Sequence, residues 1–178
     1  MTKTPVHVGL IGSQFISTIH AKALQLCQDA QLLAVASPTP GNAEKFASEF
    51  NIPNHFMDYR QMLKMDELDM VVIGAPNHLH CEMTVAAAAV GKHVVCEKPL
   101  CLNLAEADQM IEACKVASVK LMYAEELCFA PKYVRLKALL DEGALGDPVL
   151  FKQSEKHDGP HADHFWDMTP GKPQKQPI

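Results

Sequence analysis

Ile73–Leu100, IGAPNHLHCEMTVAAAAVGKHVVCEKPL, is the stretch that decides the fold. It opens on the end of an apolar strand and passes through a polar turn, Pro76-Asn77-His78-Leu79-His80. An alanine-rich helix follows and closes at Gly91, a residue suited to a left-handed C-terminal position. A second apolar strand, His93–Cys96, leads to Glu97-Lys98-Pro99. This is a βαβ unit with polar groups at the end of each strand. In open parallel sheets ligands sit at the carboxyl ends of the strands, so these groups predict chemistry there.

The same alternation runs outward in both directions. Val6–Ile11 is apolar and β-branched, and Gly12 ends it. Ile16, Ile19, Ala23 and Leu26 recur at helical spacing, which predicts an amphipathic helix from Phe15 to about Cys27. Leu32–Ala36 is a second strand, Ala43–Phe50 a helix and His55–Met57 a short third strand. Met70–Ala75 is apolar on both faces, as a central parallel strand is. After the quoted stretch, Asn103 and Glu106 form a capping-box pattern. They open a helix with Leu104, Ala107, Ile111 and Cys114 on one face. Val119–Tyr123 is a sixth strand, Pro131 to Asp141 a helix, and Val149–Gln153 a strand of something new. Regular alternation of this kind predicts an α/β protein with a doubly wound parallel sheet, the dinucleotide-binding Rossmann fold.

The 178 residues suffice for one domain and part of another, with 48% hydrophobic and 21% charged residues as in ordinary globular proteins. A net charge of −5 predicts neither a nucleic-acid partner nor attraction to an anionic membrane. Met1-Thr2-Lys3-Thr4-Pro5 leads straight into a strand, and no apolar run is long enough to span a bilayer. Six scattered cysteines without a Cys-x-x-Cys pair read as reduced thiols, so the expected location is the cytoplasm.

The turn after the first strand is Gly12-Ser13-Gln14-Phe15-Ile16-Ser17. Against the G-x-G-x-x-G/A fingerprint only its first glycine survives. Gln14 adds bulk where a glycine lets the backbone approach a pyrophosphate, whereas Ser17 is a mild change. The helix N-terminus that follows still offers N–H groups to an anion. At the end of the second strand Ser37 stands where a carboxylate would hold the adenine ribose. That removes repulsion against a 2′-phosphate, but with no arginine nearby in sequence the cofactor stays open between NAD and NADP. Taken alone, Asn77 is a helix cap, His78 and His80 are surface histidines, and Glu97-Lys98 is a solvated ion pair. Between His157 and Asp167 stand three histidines and three aspartates, but their spacing fits no zinc pattern and no metal is expected.

Together, Pro76-Asn77-His78-Leu79-His80, Val90-Gly91-Lys92-His93 and Glu97-Lys98-Pro99-Leu100 resemble the signature of the Gfo/Idh/MocA family of NAD(P)-dependent oxidoreductases. The resemblance runs from Val6 to about Asp167. It implies a cofactor site made by Gly12, Ser13, Gln14, Phe15, Ile16, Ser37, Pro76, Asn77, His80, Glu97 and Lys98. Asn77 and His80 would border the nicotinamide, Glu97 would orient that region, and Lys98 would be the catalytic group. A lysine there can hold an alcohol oxygen and ease loss of its proton as hydride leaves. The implied substrate is a sugar, polyol or related hydroxy compound.

By the same resemblance, residues 1–124 are the dinucleotide-binding domain and 125–167 the start of a substrate and oligomerisation domain, through which copies could pair. His157-Asp158-Gly159-Pro160 would open that domain near the cofactor's reactive end, or is simply a polar loop. Residues 168–178 are expected to be a disordered tail. The family's Asp-x-x-x-His acid/base motif is not in the sequence. The chain therefore reads as truncated in its substrate domain, either an oxidoreductase by descent or a dinucleotide-binding module without turnover.

Overall fold

A computed structural model describes residues 4–154, which divide after Ala124 into two compact units. The first is a six-stranded, all-parallel sheet in the order β3-β2-β1-β4-β5-β6. Its strands are β1 (Val6–Ile11), β2 (Ala30–Ala36), β3 (Asn54–Phe56), β4 (Met70–Ile73), β5 (His93–Glu97) and β6 (Leu121–Ala124). The helices between them are α1 (Phe15–Gln25), α2 (Asn42–Phe50), the single turn α3 (Tyr59–Met62), α4 (His80–Ala89) and α5 (Leu104–Val116). The expected doubly wound fold is present, with element ends within two residues of the expected ones; the single turn α3 was not expected.

Alternation along the strands sends side chains into two cores. Val8, Leu10, Val35 and Val72 pack with Ala21 of α1 and with Ala43, Phe46, Ala47 and Phe50 of α2. Ala34, Ala36, Val71 and Ile73 face the other way, toward α3, Met83 and Ala87 of α4, and Met110 of α5. β1 and β4 lie in the middle of the sheet and are buried on both faces, which is why they read as continuous apolar runs.

Two helix faces differ from the sequence expectation. α1 turns Ser17 and Ala21 inward, leaving Leu26 at 86% exposure and Ile19 exposed. Small side chains win because α1 crosses close to the glycines that end β1 and follow β4. On α5 the buried residues are Met110 and Cys114, while Leu104 is 84% exposed and Ile111 also faces out. Those two sit roughly a quarter-turn round from the buried stripe at 3.6 residues per turn. The Asn103–Glu106 capping box is present: Asn103 Oδ1 accepts the Glu106 amide at 3.0 Å, and Glu106 accepts the Leu102 amide at 3.0 Å. Asn77 does not cap α4. It starts a 3₁₀ turn, Asn77–Leu79, closed when the Leu79 amide donates to the Pro76 carbonyl at 2.9 Å.

The second unit holds a 3₁₀ turn, Glu126–Phe129, and α6 (Pro131–Asp141), with Pro131 in its first turn. Val149–Gln153 is not a strand: it lies in irregular chain with Val149, Leu150 and Phe151 exposed. No described strand of this unit pairs with it, and an unpaired strand leaves its backbone groups unsatisfied. The expectations for residues 157–167 and 168–178 fall outside the described residues. No described helix is long and apolar enough to cross a membrane.

Gly12 and Gly91 separate backbone strain from crowding. Both have positive φ, +116° and +75°, but a Cβ on Gly12 would lie 2.5 Å from the Gly74 carbonyl oxygen, whereas one on Gly91 meets nothing within 4 Å. Gly91→Ala is expected to cost about 1 kcal/mol and Gly12→Ala roughly 3 kcal/mol or more. Urea unfolding of the two variants checks the ranking, and equal losses would refute it.

Candidate functional site

Because the strands are all parallel, every segment that follows one emerges at a single edge of the sheet. Strand order reverses there between β1 and β4. The chain leaves β1 toward one face through α1 and leaves β4 toward the other through α4, opening a crevice between them. The two turns are joined: the Gly74 amide donates to the Ile11 carbonyl at 2.8 Å, and the Gly12 amide to that of Ala36 at 2.8 Å. Gln14 precedes α1 in extended conformation, makes no side-chain cap, and holds its side chain in solvent. The first N–H groups of this eleven-residue helix, at Phe15, Ile16 and Ser17, therefore have no helical partner and can receive an anion. Ser17 is buried where the fingerprint's third glycine stands. Its Oγ lies 3.0 Å from a Cβ built on either Gly12 or Gly74 and has no hydrogen-bond partner among the described residues.

At the end of β5 the sequence suggested a solvated Glu97-Lys98 pair, and the structure replaces it with a buried one. Glu97 is 3% exposed and bonds to His20 on α1, Oε1 to Nε2 at 2.8 Å, while its Oε2 accepts the Lys98 amide at 2.9 Å. Burial pushes the Glu97 carboxyl up. The His20 ring, the Lys98 amide and the nearby His20 and Lys98 side chains outweigh it and hold the group below the ordinary carboxylate range. The Lys98 ammonium makes no hydrogen bond or ion pair among the described residues and stays half-buried at the strand end. Asn77 is also half-buried, and its side-chain amide makes no bond among the described residues.

His80 is not a surface histidine. It is 1% exposed, with Nε2 at 2.9 Å from the Ala75 carbonyl oxygen and Nδ1 at 3.0 Å from that of Pro99. The ring lies between the chain leaving β4 and the chain leaving β5 with both nitrogens buried; as both partners are acceptors, the neutral ring donates to one of them and only the imidazolium to both. Pro76 is exposed beside it, and the Lys98–Pro99 peptide is cis.

On the other side of the crevice Ser13 Oγ donates to Ser37 Oγ at 2.9 Å, tying the first turn to the end of β2. Ser37 borders a cavity of about 380 Å³, which Pro38, Met57, Tyr59, Leu79 and Met83 also line. Asp58, Arg60 and Glu82 are among its walls. The sequence offered no arginine near Ser37; folding brings one from α3.

All the residues expected in the site thus follow carboxyl ends of strands and gather along one sheet edge. Sequence reading missed His20 and the charged trio of the cavity. Ser17, His20, Ala21 and Leu24 recur at helical spacing, so a histidine on a stripe of small and apolar residues was the available signal. Asp58, Arg60 and Glu82 carried none, because their meeting depends on β3 lying beside β2.

Comparison with known proteins agrees with this fold. The profile of the Gfo/Idh/MocA oxidoreductase family, NAD-binding Rossmann fold, matches residues 6–125. Myo-inositol 2-dehydrogenase of Thermotoga maritima is 30% identical over 87% of this chain and 46% of its own length. Scyllo-inositol 2-dehydrogenase (NADP(+)) of Bacillus subtilis is 36% identical over 74% of this chain and 40% of its own. Among solved structures, an NAD binding oxidoreductase from Klebsiella pneumoniae superposes with a TM-score of 0.78 at 35% identity, covering 82% of this chain and 41% of that one. The chain spans less than half the length of these relatives.

The lowered Glu97 carboxyl has a pH consequence. Its stabilisation is fully present above the unfolded value, near 4.5, and is lost as pH falls through the lower folded value. The stability advantage of the native chain over Glu97→Gln should therefore shrink as pH falls below about 4.5. Paired thermal melts read this, and an advantage unchanged at pH 3.5 would contradict it. Loss of the buried bond in His20→Ala should cost about 1–3 kcal/mol, partly recovered in His20→Gln.

Proposed function

The chain belongs to the Gfo/Idh/MocA oxidoreductase family, and from that premise we propose that it forms the cofactor-binding part of an NAD(P)-dependent dehydrogenase. Its substrate would be a sugar, polyol or related hydroxy compound, the class to which the inositols named for two relatives belong. One observation carries this reading: at the same sheet edge as the Gly12 turn, the Lys98 ammonium makes no hydrogen bond or ion pair among the described residues, the Glu97 carboxylate being bonded to His20 and to the Lys98 amide.

In this reading the amides of Ser13, Gln14, Phe15 and Ile16 receive the pyrophosphate at the start of α1. Ser37 faces the adenosine end. Pro76, Asn77, Glu97 and Lys98 wall the nicotinamide end, with His80 and Gly12 supporting them from behind. When bound, the nicotinamide supplies the hydride acceptor. Lys98 is the catalytic residue of this half: its ammonium holds the alcohol oxygen and favours the alkoxide as the proton departs. Glu97 is a positioning residue, held by His20 and by the Lys98 amide rather than by the Lys98 ammonium. Residues 1–124 act as the dinucleotide domain, and 125–167 begin the substrate domain, in a reducing cytoplasm where the six free thiols stay unpaired.

A second reading is a dinucleotide-binding module without turnover, for which the free amides at the start of α1 suffice. Titration of the 178-residue chain with NADH and NADPH, followed by fluorescence, tests what the two readings share. Gln14→Gly should tighten binding about fivefold, equivalent to roughly 1 kcal/mol. Binding that is unchanged or weaker in this variant would count against the pyrophosphate assignment. Reduction of NAD or NADP with a polyol, lost in Lys98→Ala, would select the enzyme over the module.

A further inference from the structure

We infer that the cavity beside Ser37 is built for an unphosphorylated adenine ribose, so that the chain takes NAD in preference to NADP, with Glu82 setting the choice by holding Arg60. This rests on the proposed dinucleotide cofactor and goes beyond it by assigning which one. The carboxylate expected at the end of β2 is replaced by Ser37, and two carboxylates from other segments line the same cavity. Asp58 begins α3 and Glu82 lies in the first turn of α4.

Arg60 is the sole cation among the described residues that line the cavity, and it is engaged on three sides. Its Nη2 pairs with Glu82, its Nη1 lies 3.8 Å from Asp58 Oδ1, and its guanidinium stacks 4.6 Å from the centre of the Tyr59 ring. Glu82 is itself held, accepting the Tyr59 hydroxyl at 3.0 Å. Burial, then the bond to Glu82, push that hydroxyl up to about 12, so it remains a donor throughout the neutral range. Asp58 is fixed from below by accepting the Arg60 amide at 2.9 Å.

The lining therefore carries two negative side chains and one positive one. A ribose 2′-phosphate would bring nearly two further negative charges at neutral pH. It would meet a guanidinium already shared between two carboxylates. A free ribose diol brings two neutral donors, and each carboxylate retains lone pairs to accept them. All three charged side chains are about half-exposed, so the discrimination is moderate and weakens with salt.

NADH and NADPH differ only in the 2′-phosphate, so the ratio of their dissociation constants isolates this cavity from the rest of the cleft. The native 178-residue chain is expected to bind NADH about tenfold more tightly than NADPH at low ionic strength. Glu82→Gln, which releases Arg60, should cut that ratio about fivefold, and Glu82→Gln combined with Arg60→Gln should restore it. ADP-ribose against its 2′-phosphate, measured by calorimetry, repeats the comparison without the nicotinamide. Equal or tighter binding of NADPH by the native chain would overturn the inference. So would a ratio unmoved by Glu82→Gln in a variant whose melting temperature is native-like. Binding of neither dinucleotide would overturn the cofactor reading together with this one, whereas binding without preference overturns this one alone.

Discussion

The carboxyl edge of the sheet is organised by how closely the turn at Gly12 approaches the turn at Gly74. Neither residue carries a Cβ, and the space each leaves is occupied by the Gly74 carbonyl, Ser17 Oγ and Ile16. That approach lets α1 lie against the sheet on its small residues, Ser17 and Ala21. With the helix so placed, the next turn of the same stripe delivers His20 to Glu97 at the end of β5. A larger residue at position 12 or 74 would lift the helix and part that contact.

The buried Glu97 shows why the bond to His20 matters more than its size suggests. A carboxylate removed from water must be paired, and the adjacent Lys98 would be the obvious partner. Had it taken that role, the ammonium's donors would be engaged by the carboxylate. By drawing its partner from α1 and its second bond from the Lys98 amide, Glu97 leaves the ammonium available. The mildest-looking part of the fingerprint, the helix that follows it, thereby conditions the far side of the cleft.

Much of the fold was legible because β1, β4 and β5 are continuous apolar runs punctuated by Gly12, Pro76 and Glu97-Lys98-Pro99. Those same marks gave the positions of the site residues. Helix rotation was not legible: α1 offered an aliphatic stripe, Ile16, Ile19, Ala23 and Leu26, that was larger than the one it buries. Hydrophobic periodicity favours big side chains, whereas close helix–strand packing selects small ones. Nor could local signals reveal that Arg60 would come to Ser37, or that His80 would turn inward. Both follow from strand order, which spacing along the chain does not encode.

His80 spans the two strand ends by reaching main-chain carbonyls rather than side chains. Every amino acid supplies such an oxygen, so this crossbar places no demand on the identity of the residues at 75 and 99. All the chemical information in the link is concentrated in one imidazole. The link is therefore lopsided: the residues at 75 and 99 contribute only main-chain oxygens, while the imidazole at 80 contributes all of its side-chain chemistry.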